Sequence, residues 1–127
     1  MSDEPQRMPD SEKCYVEERK VTDYLLNTSH PRGGGKARFF VEFGFTAEDW
    51  QIFARALEHH GAEGILSGSS YTATGNVQYE VDGPLRTPSG RRAHIRTVWE
   101  RQTAADPYPE GLRPVTAFPD GANRTRR

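Results

Sequence analysis

The chain has 127 residues, a net charge of −1 and an apolar content of 34%, which suits one domain that buries its core without staples. So even a charge balance excludes the uniformly basic surface of a protein that coats nucleic acid, and any contact with phosphates must come from local patches. The single cysteine, Cys14, excludes an internal disulfide and a cysteine-cluster metal site.

Both ends are polar. Met1 to Glu12 carries a net −3 and Asn123 to Arg127 a net +3. Disordered tails are therefore expected over 1–15 and 121–127, around a single domain at 16–120. Met1 to Lys13 lacks the apolar run of a signal peptide, and no stretch is long enough to span a bilayer. The expectation is a soluble cytoplasmic protein with no membrane partner.

In chain order, Val16, Val21, Tyr24 and Leu25 share one helical stripe and predict a short helix from about Glu18 to Leu26. The His-Pro pair after it forbids continuation. His30 to Gly35 is then a loop, and the spacing of Ala37, Phe40 and Val41 predicts a helix over Lys36–Phe43. If that helix begins near Gly34 or Gly35, its free N–H groups face the loop and favour an anion. The stretch His30 to Phe40 reads HPRGGGKARFF. It holds Arg32, Lys36, Arg38 and one imidazole with no acid, so with Gly34 and Gly35 it is a candidate phosphate-binding wall. A flexible connection beside a solvated helix face is the alternative. A nucleotide-hydrolysing loop is not expected, because no glycine stands at the upstream position, no Ser or Thr follows Lys36 and no strand precedes it.

Phe45 to Gly61 carries the strongest helical signal. Thr46 is a good N-cap with Asp49 completing a capping box, and Phe45 and Trp50 form a staple. Trp50, Phe53, Ala54 and Leu57 continue the stripe, His59 and His60 suit the negative end, and Gly61 closes it. Adjacent histidines on a helix point roughly 100° apart and make a poor chelate. No metal and no cofactor is expected.

After Gly61 the periodicity becomes two. Strands are predicted at Ile65–Tyr71, Val77–Leu85, Arg91–Arg101 and Arg113–Phe118, with turn chemistry at Pro88-Ser89-Gly90 and a polar loop over Thr103–Gly111. Pro114 places the last strand at an edge or beside a bulge. The fold class is α+β: two to three N-terminal helices packed on one face of a four-stranded antiparallel sheet.

If Val77, Tyr79, Val81, Ala93, Ile95, Trp99, Val115 and Ala117 point inward, the open face holds Glu80, Asp82, Arg92, His94, Arg96, Thr116 and Phe118. Glu80 and His94 could then serve as base and acid, with Arg96 stabilising developing negative charge. Ordinary cross-strand ion pairs on a wet sheet face are the alternative. Thr97 falls on the apolar side unless a one-residue bulge turns it out. Arg86 to Arg101 holds five arginines against one acid. Converging with the glycine loop, this second patch would make a phosphate groove.

Taken together, YLLN (Tyr24 to Asn27), HP (His30-Pro31), GGKARFF (Gly34 to Phe40), GFTAEDW (Gly44 to Trp50), GRRAHIRTVW (Gly90 to Trp99) and VTAFP (Val115 to Pro119) resemble a bacterial family known as domain of unknown function 6883. The resemblance covers about Val16 to Pro119. Members are small stand-alone proteins or C-terminal domains of phage-head-like or toxin-like proteins. Their layout is similar to the barnase, EndoU, colicin and RelE group of ribonuclease toxins. Carried over residue by residue, that likeness implies a site with His30 and Lys36 on the helical side, Arg96 and Thr97 from the RTVW strand, and Thr116 from VTAFP. Where the family ends in TAYP this chain has TAFP, so Phe118 offers no phenol.

Two functions stay open. One is a metal-independent, toxin-like ribonuclease: His30 or His94 as acid or base, Lys36, Arg96 and Arg32 on the phosphorane, and Thr97 or Thr116 as hydrogen-bond donor. RNA would be its substrate, and a cognate antitoxin or immunity protein its partner. The other is a non-catalytic interaction module that binds a protein or nucleic acid.

Overall fold

The change from a 3.6-residue to a 2-residue apolar repeat is followed by the backbone at Gly64. A computed structural model of the chain describes residues 6–101 and 111–120. Helical segments α1 (Glu18–Lys20), α2 (Gly34–Glu42) and α3 (Trp50–Glu63) precede strands β1 (Ile65–Tyr71), β2 (Val77–Leu85), β3 (Ala93–Arg101) and β4 (Leu112–Pro119). The four strands form one antiparallel sheet in the order β1-β2-β3-β4. The expected α+β class, with helices first and an antiparallel sheet after, is the observed one.

The core lies between α3 and the sheet. Phe53, Ala54 and Leu57 are buried on α3, facing Val81, Leu85, Ala93, Ile95, Trp99 and Ala117. Phe40 of α2 and Phe45 of the α2–α3 loop stack against Phe53, with ring centroids 4.9 and 4.6 Å away. The expected helix at 36–43 starts two residues earlier, at Gly34, because Gly34 N–H reaches back to His30 O at 2.9 Å. Val41, expected inside, is 44% exposed. The regular part of α3 starts at Trp50. Thr46 still caps, accepting the Asp49 N–H at 3.2 Å, but within a preceding turn.

The first predicted helix differs in kind. After one α-turn it widens into a π-helical turn at Val21–Leu25, closed by Leu26 N–H to Val21 O at 2.8 Å. The extra residue lets Val21, Leu25 and Leu26 all enter the core while Tyr24, half-buried, packs at its margin. Such turns recur at functional sites.

Residues 6–15 do not form the free tail expected from their charge. Met8 is buried, Ser11–Lys13 makes a 3-10 turn, and Leu66 N–H bonds Gln6 O at 2.7 Å. Cys14 bridges to Leu112, and Tyr15 N–H donates to Leu112 O at 3.0 Å. The segment thereby covers part of the open edge of β4, which would otherwise present unpaired backbone groups. Burial pushes the Cys14 thiol up to about 12, with Glu58 and Glu12 adding to the effect. The tail expected at 1–5, the loop expected over Thr103–Gly111 as far as residue 110, and the tail at 121–127 lie outside the described residues.

Pro114 sits where proline is tolerated, on the edge strand and beside a bulge. The β3–β4 register jumps from Val98↔Thr116 to Trp99↔Pro114, leaving Val115 as the extra residue. Leu112, Pro114 and Ala117 therefore face inward, and Val115, expected inside, is only half-buried.

Gly64 joins α3 to β1 under close contact. A Cβ there would strike Val81 Cγ1, with His60 O at 2.8 Å and Asp82 O at 3.0 Å. Gly64→Ala is expected to destabilise the fold by about 1–3 kcal/mol through overpacking, read as a lowered urea midpoint at unchanged slope. An unchanged midpoint would show that the helix–sheet junction has slack.

Candidate functional site

α2 and the loop before it lie beside the edge strand β4, and two side chains reach around that edge to its outer face. Lys36 Nζ donates to Thr116 Oγ1 at 3.5 Å, and its ammonium lies 5.4 Å from the Phe118 ring centre. The Tyr24 hydroxyl meets the same Thr116 Oγ1 at 3.4 Å. Lys36 can only donate, whereas the Thr116 and Tyr24 hydroxyls can each donate or accept; when Tyr24 is a phenolate the run reads Lys36 → Thr116 → Tyr24, with Thr116 giving its proton towards the phenolate oxygen. That hydrogen bond, with the positive charges of Lys36 and Lys20, holds the Tyr24 phenol below its ordinary value; partial burial opposes it. Lys20 lies 4.7 Å over the Tyr24 ring, and burial lowers its own ammonium.

His30 closes the other side, its ring edge-on to Tyr24 with centroids 4.8 Å apart. Its Nδ1 accepts backbone N–H groups from Arg32 at 3.1 Å and Gly33 at 3.0 Å. These bonds assign the tautomer that carries the proton on Nε2. His30 thus shapes the glycine loop and presents one N–H donor. Gly33 is required there, since a Cβ would come 2.8 Å from Tyr24 Cε1. Gly34 is buried against Thr28 O, whereas Gly35 is open. Arg32 and Arg38 are exposed on either side, with Arg38 Nη1 on Thr28 O at 3.2 Å.

The sheet residues divide differently from the expectation. Arg96 is held by two carboxylates: its Nε and Nη2 reach Asp82 at 2.7 and 2.9 Å, and its Nη1 reaches Glu80 at 3.0 Å. The Asp82 hydrogen bond raises the guanidinium further and depresses the Asp82 carboxyl. The cross-strand ion pairs weighed as the plain alternative are present, and they occupy both Arg96 and Glu80. Arg96 pairs directly across from Phe118, so it neighbours the Lys36 cluster without joining it. His94 pairs with Pro84, four residues along β3 from Val98, the partner of Thr116. That is about 13 Å at strand spacing. Arg92 lies beyond, on a separate cleft shared with His59 and Arg86. Arg91 turns to the end of α2, donating to Glu42 O at 2.8 Å, and Arg101 pairs with Asp10 at 2.8 Å. The second basic stretch and the glycine loop therefore do not converge into one groove.

Thr97 stays inside, at 0% exposure. The bulge falls after it, between Val98 and Trp99. Its hydroxyl accepts Trp99 Nε1–H at 2.7 Å and meets His60 Nδ1 at 3.0 Å. His60 Nε2 lies 3.1 Å from Gly83 O and 3.2 Å from Ile95 O, so the network is satisfied with Nε2 protonated. Burial lowers the imidazole's affinity for a second proton, against the pull of the two carbonyls.

Tyr24 is the member that sequence reasoning missed. Its place on the apolar stripe marked it as core, although a phenylalanine would have served there. The hydroxyl was the available signal.

A family model described as a domain of unknown function, DUF6883, matches residues 7–121. The chain belongs to that family. A comparison with curated proteins finds no match. Among solved structures, the chain is similar to a chain of a contact-dependent growth inhibition toxin–immunity protein complex from Klebsiella pneumoniae 342. The TM-score is 0.57 at 15% identity, over 84% of this chain and 92% of that one. At this identity the likeness is one of fold. Among the described residues, no helix is long and apolar enough to cross a membrane.

Proposed function

We propose that this DUF6883 chain is a metal-independent, toxin-like endoribonuclease whose reaction centre is Tyr24, Thr116 and Lys36 beside His30. The observation that carries the reading is the hydrogen-bonded run from Lys36 through Thr116 to a phenol held below its ordinary value. A polarised hydroxyl next to a lysine is an arrangement that stabilises the phenolate. The ribose 2′-hydroxyl attacks the adjacent phosphorus and gives its proton to the phenolate oxygen of Tyr24. The 2′-O–P bond forms as the P–O5′ bond breaks, and water protonates the leaving oxygen. Lys36 offsets the charge on the phosphorane. The Nε2–H of His30 and the N–H groups of Gly35 and Lys36 in the first turn of α2 add donors for its oxygens, the Gly34 N–H being held by His30 O. Gly35, which is open, lets the backbone approach, while Gly34 lets α2 pack on Thr28 O; Arg32 and Arg38 hold flanking phosphates. Thr97, buried, and Arg96 and Glu80, paired with each other, take no part in this scheme. His94 and Arg92 lie too far along β3.

The printed title of the similar complex pairs a toxin with an immunity protein. An immunity protein or antitoxin covering the β4 edge is the corresponding partner class. The second reading, a non-catalytic interaction module, draws support from His30, whose Nδ1 is taken by two backbone N–H groups and so cannot shuttle protons.

Single-stranded RNA incubated with the purified chain in excess EDTA is expected to yield 2′,3′-cyclic phosphate and 5′-hydroxyl ends. The matching DNA stays intact for want of a 2′-hydroxyl. Uncut RNA sinks the ribonuclease. If the RNA is bound in a salt-sensitive way but left whole, the interaction module stands instead.

A further inference from the structure

Tyr24 has a second neighbourhood. Its ring also lines a cleft of about 500 Å³ formed with Tyr15, Lys20, Glu100 and Arg113, over an apolar floor of Pro114 and Val115. The volume lies in the range of small-molecule sites. Because Tyr24 is common to the cleft and the Lys36–Thr116 relay, a ligand seated here lies next to the phosphate position.

The polarity of the cleft is specific. Glu100 accepts one amide N–H on each oxygen, from Asn76 and from Gln78, both at 2.8 Å. These bonds fix its orientation without neutralising it, and among the described residues Glu100 makes no ion pair. The nearby cations are directed elsewhere. Arg113 donates to the Tyr15 hydroxyl and stacks 5.3 Å from that ring, and Lys20 sits over Tyr24. The cleft therefore offers aromatic surface, an apolar floor and a pinned anionic acceptor. We infer that it seats one nucleobase of the RNA, next to the scissile phosphate, and selects bases that carry an exocyclic amino group. Adenine, cytosine and guanine present such N–H donors to a carboxylate. Uracil has no exocyclic amino group and offers only its ring N3–H, flanked by two carbonyl oxygens that the carboxylate repels, so it is held more weakly. Stacking on tyrosine supplies binding that every base shares.

The inference rests on the ribonuclease reading, but base binding is measured without turnover. Titrating the full chain with 3′-AMP, 3′-CMP, 3′-GMP and 3′-UMP, followed by NMR shifts of Tyr15 and Tyr24, is expected to show at least tenfold weaker binding of 3′-UMP. Glu100→Gln brings the four towards equality, because the amide can also donate to a carbonyl. Tyr15→Ala weakens all four alike. Equal affinity in the unaltered chain, or no binding of any nucleotide at millimolar concentration, overturns the inference even if Glu100→Gln does not fold. A preference that survives Glu100→Gln does the same. If bases are discriminated and RNA is left whole, the cleft stands and the ribonuclease reading falls. If RNA is cut with no base preference, the reverse holds.

Discussion

Tyr24→Phe is expected to slow RNA cleavage by about 10²–10⁴-fold, the range set by removing a general base, while the fold is retained. The side chain is half-buried and the hydrogen bond of its hydroxyl to Thr116 is long, at 3.4 Å. Its loss costs about 1 kcal/mol or less. The pH profile separates this role from a structural one. If Tyr24 acts as phenolate, the rate rises with pH to a plateau through a midpoint below the ordinary phenol value of about 10, because Thr116 donates to the oxygen and Lys36 and Lys20 favour the anion. Lys36→Met removes one of those charges and leaves Thr116 unpolarised. The plateau then moves to higher pH and its height falls by about 10²–10³-fold, since the phosphorane loses its cation. A Tyr24→Phe variant that cleaves at the native rate, or a plateau that ignores Lys36→Met, removes the relay from the mechanism.

The largest effect on stability is expected at His60. His60→Ala opens a cavity beneath Trp99 and leaves the Thr97 hydroxyl and two sheet carbonyls without their donor or acceptor. Cavity and desolvation costs together reach about 3–5 kcal/mol. In a domain of this size that lowers the thermal midpoint by about 12–20 °C. His60 also sets a pH dependence. Its folded value is lowered by burial from 6.5, so between that lowered value and pH 6.5 the unfolded chain binds a proton that the native chain refuses. Its contribution is complete above about pH 6.5 and is lost on acidification below it, by at most about 1.4 kcal/mol per pH unit. Urea midpoints at pH 7.5 and 5.5 should diverge in the native chain and draw together in His60→Gln. Parallel pH dependence in both would mean that His60 is protonated where it lies.

The helices and strands were legible because their apolar repeats are clean: Phe53, Ala54 and Leu57 on α3, and Ala93, Ile95 and Trp99 on β3, are buried as their spacing requires. The π-turn was not legible, because Val21–Leu25 satisfies an α-helical stripe equally well and only the docking of Leu26 demands the added residue. The glycine-loop half of the site was visible through its unbalanced charge. The sheet half was only partly visible. Alternation puts Glu80, Asp82 and Arg96 on one face but does not say that they neutralise one another. It could not place the bulge at Val115, which decides which residues of β4 face out. His60 continues the stripe at Leu57 plus three. Its polar partner Thr97, the apparent misfit on the apolar side of β3, was the sign that a buried polar pair was needed.

The strand order β1-β2-β3-β4 has a consequence for how the protein is made. Tyr24 and Lys36 leave the ribosome before Thr116, which comes with β4, and the segment around Cys14 must wait for Leu112 to pair with it. At synthesis rates of about 5–20 residues per second, the relay is incomplete for the seconds needed to translate everything between. A nascent or prematurely terminated chain holds the lysine and the phenol without the hydroxyl that links them. Assembly of the Lys36–Thr116–Tyr24 relay thereby waits for synthesis of β4.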